Sequence, residues 1–303
     1  MRKELYGYLA VIAAATMWGV GGSAAKALFN QNITPFLLVK VRLTLAFLLM
    51  ATGLLCYNRR LLMIPRQEFA YFAVLGIVGM ALLQFFYFYT ISLTNVATAV
   101  FLQYLAPVLI ATYTVFFEKA RLGWQRGGAV VLAAIGGLLI MLNSGGEAVS
   151  ALGLASGLVA AAILAFNTIY GRRAVREYHP LTAVTYSFGF GSLFWWVASP
   201  EAWTSGTING ENWWLFVYIA VFSTVVPFLL YFFGMRFLSP TNVGVTACLE
   251  PVIAAVVAYL TLGEQMGLLQ ILGGVLVVSA VILLQSGSDS EHTSNKTKLI
   301  ETV

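Results

Sequence analysis

The chain has 303 residues, of which 60% are hydrophobic and only 10% are charged, and its mean hydropathy is +0.85. That composition supplies too little polar surface to cover a soluble globule of this length, so a soluble protein is excluded. The formal charge of +5 comes from basic residues distributed along the chain. Because nucleic-acid binding needs basic residues gathered on one soluble face, we expect no nucleic-acid partner.

Ten apolar runs follow one another along the chain, each of roughly 20 residues and therefore long enough to cross a bilayer core of about 30 Å as a helix. They lie at 5–27, 35–56, 68–91, 95–117, 122–142, 151–171, 180–198, 213–234, 241–262 and 265–285. Helices are favoured over barrel strands because the runs are continuously apolar, whereas barrel strands alternate. The sequence predicts an all-α polytopic membrane protein with ten transmembrane helices in contact with the lipid bilayer.

The second half of the chain repeats the first at an offset close to 144 residues. The coinciding residues include Tyr87 with Tyr231, Leu105 with Leu249 and Pro107 with Pro251, and, at an offset of 146, Gly7 with Gly153 and Gly127 with Gly273. Internal duplication in an apolar chain is typical of transporters. It predicts one five-helix repeat at 1–143 and a second at 151–285. The polar tail at 286–303 is predicted to be disordered and cytoplasmic.

The charges between the runs predict the orientation. If both termini are cytoplasmic, the inner segments hold 14 of the 17 basic residues, as the positive-inside rule demands. These are Arg2, Lys3, Arg59, Arg60, Arg66, Lys119, Arg121, Arg126, Arg172, Arg173, Arg176, Arg236, Lys296 and Lys298. Because each repeat has an odd number of spans, the second repeat is inverted relative to the first. We expect a multi-pass protein of the cell (inner) membrane.

Two segments resemble a known family. The segment at 238–265, LSPTNVGVTACLEPVIAAVVAYLTLGEQ, has a small-residue helix, a Glu-Pro pair, an apolar stretch and a closing Gly-Glu. Its copy at 95–119 keeps the proline and the last glutamate but has Ala106 in place of Glu250. This pattern resembles the signature of the EamA-type drug/metabolite transporter superfamily. The resemblance covers about residues 5–285 and implies ten spans in two inverted halves. It leaves the substrate open, because the members move amino acids, nucleosides, cations, vitamins and drugs.

Glu250 is the one acidic residue that the predicted spans place well inside the bilayer, where an ionised carboxylate needs a partner, a proton or water. The candidate partners are Lys40 and Arg42 on the second span, which point in nearly opposite directions because two residues rotate a helix by about 200°. The resemblance marks Arg42 as family-typical, so Lys40 is the better candidate for substrate choice. Glu250 is expected either to handle a proton or substrate or to form a permanent salt bridge or helix cap.

Pro107 and Pro251 each lie near the middle of a predicted span. Proline removes a backbone hydrogen bond there and clashes with the preceding turn, so kinks are expected at equivalent positions of the two repeats. Paired kinks at the midplane would act as hinges between inward-open and outward-open states. The alternative is that membrane helices tolerate these prolines for packing alone.

Aromatic and amide side chains within the spans complete the candidate substrate site. The candidates are Trp18, Gln84, Tyr87, Tyr104, Asn167, Tyr186 and Tyr231. Aromatic rings stack on planar substrates or hold an organic cation, and amides supply hydrogen bonds. Each of these residues also has the alternative role of packing, or of an interhelical hydrogen bond.

The sequence also narrows the class of function. The two histidines lie in a predicted loop and in the tail, and no glycine-rich loop ends in Gly-Lys-Ser/Thr. We therefore expect no enzyme activity, no metal site and no cofactor. The leading hypothesis is a secondary transporter that exports a small amphipathic metabolite, amino-acid-like or aromatic. The alternatives are an importer of a vitamin, nucleoside or organic cation, a passive channel, and a lipid-carrier flippase. The oligomeric state stays open, and a monomer suffices.

Overall fold

A computed structural model describes residues 2–29, 31–94, 96–119, 123–142, 150–198, 212–262 and 267–301. The helices of the first half are α1 (Arg2–Phe29), α2 (Pro35–Tyr57), α3 (Phe69–Gly76), α4 (Leu83–Leu93), α5 (Val96–Gln103), α6 (Ala106–Phe116) and α7 (Trp124–Leu142). Two short 3₁₀ turns, Arg59–Leu62 and Arg66–Glu68, connect α2 to α3.

The second half continues with helices that follow the same order. They are α8 (Ala151–Glu177), α9 (Pro180–Ala198), α10 (Trp213–Ala220), α11 (Val226–Phe237), α12 (Pro240–Ala247), α13 (Leu249–Leu262) and α14 (Leu268–Glu301). The last helix of each half packs against the other, and α7 and α14 approach so closely that a Cβ atom added to Gly136 would lie 2.6 Å from the Gly273 carbonyl oxygen.

Six helical stretches of the described chain are long and apolar enough to cross a membrane. They are Pro35–Tyr57, Arg66–Leu93, Thr98–Phe116, Trp124–Leu142, Ala151–Glu177 and Trp213–Phe237, and a shorter apolar helix spans Leu268–Leu284. The predicted all-helical membrane class is confirmed, while the count of ten spans stays a prediction.

Both spans with a central proline are broken immediately before that proline. Helix α5 ends at Gln103 and α6 begins at Ala106, so a turn precedes Pro107. Helix α12 ends at Ala247 and α13 begins at Leu249, shortly before Pro251. The missing N–H and the steric bulk of proline explain why the helices restart there.

Two π-helical segments lie 144 positions apart in the third and eighth predicted spans. The first, Ile77–Leu82, joins α3 to α4, and the second, Val221–Val225, joins α10 to α11. A π segment shifts the hydrogen-bond register within a helix and is frequent at functional sites. The sequence pattern predicts neither segment.

The last helix runs on into the C-terminal tail, whose disorder stays a prediction. Helix α14 continues from the apolar stretch to Glu301, through most of the range 286–303. The range 268–301 contains no proline, the residue that most strongly breaks a helix.

Candidate functional site

A cavity of about 70 Å³ lies where the two broken spans face each other. A single water molecule needs a cavity of about 10–15 Å³, so this cavity has room for about five water molecules. Its lining comes from helices of both halves of the chain: Trp18, Gly21, Ala25, Arg42, Leu83, Gln84, Tyr87, Phe88, Gln103, Tyr104, Leu164, Ile219, Ser223, Phe228, Tyr231, Ala247 and Glu250. Typical ligand pockets are several times larger, about 300–1,000 Å³, so a metabolite requires this cavity to widen.

The carboxylate of Glu250 is the acidic group of the cavity. It stands in the first turn of α13, where the partial positive charge of a helix N-terminus favours an anion. The Tyr104 hydroxyl, at the break between α5 and α6, donates a hydrogen bond of 2.5 Å to Glu250 Oε2. The Tyr87 hydroxyl is a second hydrogen-bond partner of the same carboxylate. Two phenols therefore replace the water that the buried carboxylate loses.

Arg42 is the basic group of the cavity and is 3% exposed. Its Nε donates to Thr224 Oγ1 at 2.9 Å and its Nη2 donates to the Ser223 carbonyl oxygen at 2.8 Å. Both acceptors belong to the second π segment, and the guanidinium also lies 4.8 Å from the centroid of the Phe88 ring. The π segment thus positions Arg42.

Tyr87 interacts electrostatically with both charged groups, Arg42 and Glu250. Within the described part of the chain, no ion pair of 4.0 Å or less joins Arg42 to Glu250. The cavity therefore presents separate positive and negative groups, and one phenol interacts with both.

Aromatic rings form part of the cavity wall. The Trp18 ring lies 5.1 Å from Phe228, edge to face, and 5.5 Å from Tyr231. The Tyr231 hydroxyl shares a 2.7 Å hydrogen bond with Thr168, whose own hydroxyl donates to the Leu164 carbonyl oxygen at 2.7 Å. Because a threonine hydroxyl has one proton, Tyr231 is the donor to Thr168, and its ring is fixed in place.

Gln84 adds an amide to the lining, and neither its side-chain oxygen nor its nitrogen has a hydrogen-bond partner among the described residues. The same holds for Asn167, which is fully buried beside Gly79 rather than in the cavity wall. Buried amides without partners are costly, at about 1–3 kcal/mol for each group.

Two further candidates lie outside the cavity. Lys40 is fully buried, and its ammonium lies 4.2 Å from the Trp196 ring on the other side of α2. Tyr186 donates to the Leu62 carbonyl oxygen at 2.6 Å, near one end of the bundle. The structure therefore places Arg42, and not Lys40, in the same cavity as Glu250. It makes Tyr186 a contact between α9 and the α2–α3 connection.

Ser223 and Thr224 are the site residues that sequence reasoning missed. They are adjacent hydroxyl residues in the otherwise apolar run at 213–234. That isolation was a usable signal, but small hydroxyl residues usually bond to their own helix and were passed over.

The described residues offer no group of three or more histidine, cysteine, aspartate or glutamate side chains that would hold a metal ion. What the cavity does offer is one anion, one cation, a free amide and a wall of aromatic rings. These groups are suited to bind a small solute that carries charges and a flat apolar part.

Comparisons with known proteins agree with the resemblance in the two proline segments. The model of the EamA-like transporter family matches residues 5–142 and 151–286. An uncharacterized inner membrane transporter YicL of Salmonella typhimurium is 28% identical over 93% of this chain and 96% of its own length. An uncharacterized transporter of Archaeoglobus fulgidus is 28% identical over 68% of this chain and 75% of its own. A protein of known crystal structure shares the fold, with a TM-score of 0.75, 19% identity, and coverage of 93% of this chain and 96% of that chain.

Proposed function

The chain belongs to the EamA-like transporter family, and we propose that this membrane transporter is a secondary carrier that exports small amphipathic metabolites, amino-acid-like or aromatic, by alternating access. The observation that carries the proposal is the pair of buried opposite charges, Arg42 and Glu250, in one cavity with an aromatic wall. A zwitterion with a flat apolar group matches those three features.

The charges suit such a substrate because each is held by neutral partners. Arg42 has a hydroxyl and a carbonyl as its acceptors, and Glu250 has phenol donors. A substrate carboxylate would bind Arg42, and its ammonium would bind Glu250, without breaking an existing ion pair. The rings of Trp18 and Phe228 would cover the apolar part.

Alternating access is supported by paired features of the two repeats. The proposed architecture has ten spans in two inverted halves with both termini in the cytoplasm, and one chain is sufficient for it. The helix breaks before Pro107 and Pro251 are equivalent, and so are the two π segments. The hinges are proposed at the breaks because each removes the rigidity of a continuous helix at the cavity.

Proton coupling through Glu250 is part of the proposal. The carboxylate is only 7% exposed, so adding a proton would neutralise a buried charge and weaken the hold on a substrate ammonium. Proton entry from one side would thereby favour substrate release to that side.

The test is uptake into proteoliposomes of radiolabelled amino acids, nucleosides, organic cations and vitamins. We expect saturable uptake of an aromatic or other amphipathic amino acid, and acceleration by unlabelled substrate inside the vesicle. Trp18→Ala should raise KM, whereas Trp124→Ala, an exposed residue at the start of α7, should leave it unchanged. Flux that does not saturate and shows no counterflow would overturn the carrier proposal and indicate a channel. Saturable transport of only a vitamin, nucleoside or cation would overturn the substrate class.

A further inference from the structure

One face of α8 runs from the cavity to the end of the bundle where the α2–α3 connection lies. Leu164 lines the cavity, and Asn167, Gly171 and Ala174 follow it at helical spacing on the same face. We call the contact of this face with α3, the first π segment and α4 the seam.

The middle of the seam is polar and narrow. A Cβ atom added to Gly79 of the π segment would lie 2.8 Å from Asn167 Oδ1, and one added to Gly171 would lie 3.7 Å from it. Gln84, at the cavity end of the seam, and Asn167 are at least nine-tenths buried, and the structure gives their four amide atoms no hydrogen-bond partner. Two such amides on one route are suited to hold the donor and acceptor groups of a passing solute.

Tyr71 closes the end of the seam that is farther from the cavity. Its hydroxyl is inserted between two backbone groups of α8. Its hydroxyl donates to the Tyr170 carbonyl oxygen at 2.6 Å and accepts from the Ala174 N–H at 3.0 Å. These two backbone groups are four residues apart and would bond to each other in a regular helix. A side chain inserted in this way gives α8 two alternative arrangements, with Tyr71 in or out.

Charged groups reinforce this contact at the surface. Arg173 pairs with Glu68 at 2.8 Å and with Glu177 at 3.0 Å, and its guanidinium lies 4.6 Å from the centroid of the Tyr71 ring. The Tyr71 and Tyr170 rings stack at 4.5 Å. We call Tyr71, Arg173 and Glu68 the latch.

We propose that the seam is the closed passage between the cavity and the face that carries the basic segments. Gln84 and Asn167 bind the polar groups of the solute in succession along this passage. The latch is its gate. This assignment rests on the proposed carrier function, and it names a second binding position and the gate of that function. Opening requires Tyr71 to leave α8, after which the Tyr170 carbonyl and the Ala174 N–H bond to each other.

The experiment measures opening by thiol labelling, which needs no knowledge of the substrate. In a Cys56→Ser, Cys248→Ser background, Gly171→Cys is the reporter, because its added Cβ makes only ordinary contacts of 3.5 Å or more. A membrane-impermeant maleimide is applied to right-side-out and inside-out vesicles. Tyr71→Phe removes the inserted hydroxyl, while the control Tyr170→Phe keeps both the ring stack and the backbone carbonyl.

We expect Tyr71→Phe to raise the labelling rate about ten-fold, as the loss of two neutral hydrogen bonds allows, and only from the basic face. Tyr170→Phe should label at the background rate. Adding Asn167→Leu to Tyr71→Phe should return the rate toward background, because an apolar seam excludes water. Asn167→Cys, itself a reporter, should respond to Tyr71→Phe in the same way, and size-exclusion profiles check that every variant is folded.

Equal rates for Tyr71→Phe and the background, or labelling from the opposite face, would overturn the gate. A high rate that persists with Asn167→Leu would overturn the role of the amides. If labelling behaves as expected while the proteoliposomes transport none of the tested solutes, the substrate proposal fails and the gate stands. If transport is found and labelling does not respond, the gate fails alone.

Discussion

The Tyr104 hydroxyl donates to the Glu250 carboxylate across the centre of the molecule, at 2.5 Å. Tyr104 lies in the break of the first proline span, and Glu250 begins the helix that restarts after the break of the second. The two discontinuities are thus joined by one charge-assisted hydrogen bond, and any movement of one broken span relative to the other must change it.

Removing that hydroxyl should weaken both the fold and transport. We expect Tyr104→Phe to cost about 1.5–3 kcal/mol, the usual range for a hydrogen bond to a charged group, and to lower the melting temperature in detergent. Tyr113→Phe is the matched control, because Tyr113 is 37% exposed on the neighbouring helix α6. An unchanged melting temperature for Tyr104→Phe would show that the bond contributes nothing to stability.

The stability of the second π segment should depend on its hydrogen bonds with Arg42. Thr224→Val keeps the shape of the side chain but removes the acceptor of Arg42 Nε, so we expect a loss of about 1–3 kcal/mol and a slower transport rate. Thr112→Val removes a hydroxyl that bonds only to its own exposed helix and should be close to neutral. Fluorescence-monitored unfolding gives the melting temperatures of the two variants. Equal values would contradict a stabilising bond between Thr224 and Arg42.

Two equivalent contacts of the repeats each pair a glycine with a larger residue. In the first contact the glycine lies on the π segment, and in the second it lies on the facing helix. Gly79 in the first π segment faces Asn167 of α8, while Ser223 in the second faces Gly21 of α1. At the repeat offsets of 144 and 146 these residues correspond in pairs. Gly21→Ala should therefore destabilise the protein, since the added Cβ would overlap Ser223 Oγ.

A second substitution separates overlap from other effects of alanine at position 21. Ser223→Gly removes the side chain that the added Cβ would overlap, so the double variant should regain much of the lost melting temperature. Additive losses in the double variant would show that the two residues do not meet.

Acid should destabilise the loop between α8 and α9. His179 Nδ1 accepts a hydrogen bond from the Leu181 N–H at 3.3 Å, which requires a neutral ring. Partial burial, aided by the Arg236 guanidinium, lowers the pKa of His179. The folded protein therefore favours the neutral form, and stability is lost as the pH falls below about 6.5, where the unfolded chain takes up the proton first. The melting temperature should drop less between pH 7.5 and 5.5 in His179→Asn than in wild type.

The proline breaks should set the turnover rate rather than substrate affinity. Pro251→Ala restores a backbone donor in the first turn of α13 and favours a continuous helix, so we expect kcat to fall several-fold with KM little changed. Pro35→Ala alters a proline that simply begins α2, and it should leave transport unaffected. A normal kcat for Pro251→Ala would reduce the proline to a packing role.

The sequence predicted the helices and a disturbance of the helix at Pro107 and Pro251, there expected as kinks, because apolar length and proline act locally. It also placed Arg42, Tyr87, Tyr104 and Glu250 among the candidates for one site, where the structure brings them together. It could not decide which of Lys40 and Arg42 faces the cavity, because α2 is apolar on all sides and its rotation is set by neighbouring helices. The rotation of α9, which places Tyr186 outside the cavity, could not be predicted for the same reason.

The π segments had no counterpart in the sequence reasoning. Their residues, including Gly79 and Ser223, are compatible with an ordinary helix, and the shift of register arises from packing between helices. The hydrogen-bond acceptors of Arg42 therefore could not be predicted from the sequence.

The most direct test of the account is uptake driven by a pH gradient, measured in proteoliposomes for wild type, Glu250→Gln and the exposed control Glu118→Gln, with whichever solute of the panel is transported. We predict that the gradient accelerates uptake by wild type and by Glu118→Gln, and that Glu250→Gln performs only gradient-independent exchange. Equal acceleration of Glu250→Gln would contradict the central claim that this buried carboxylate couples proton movement to transport.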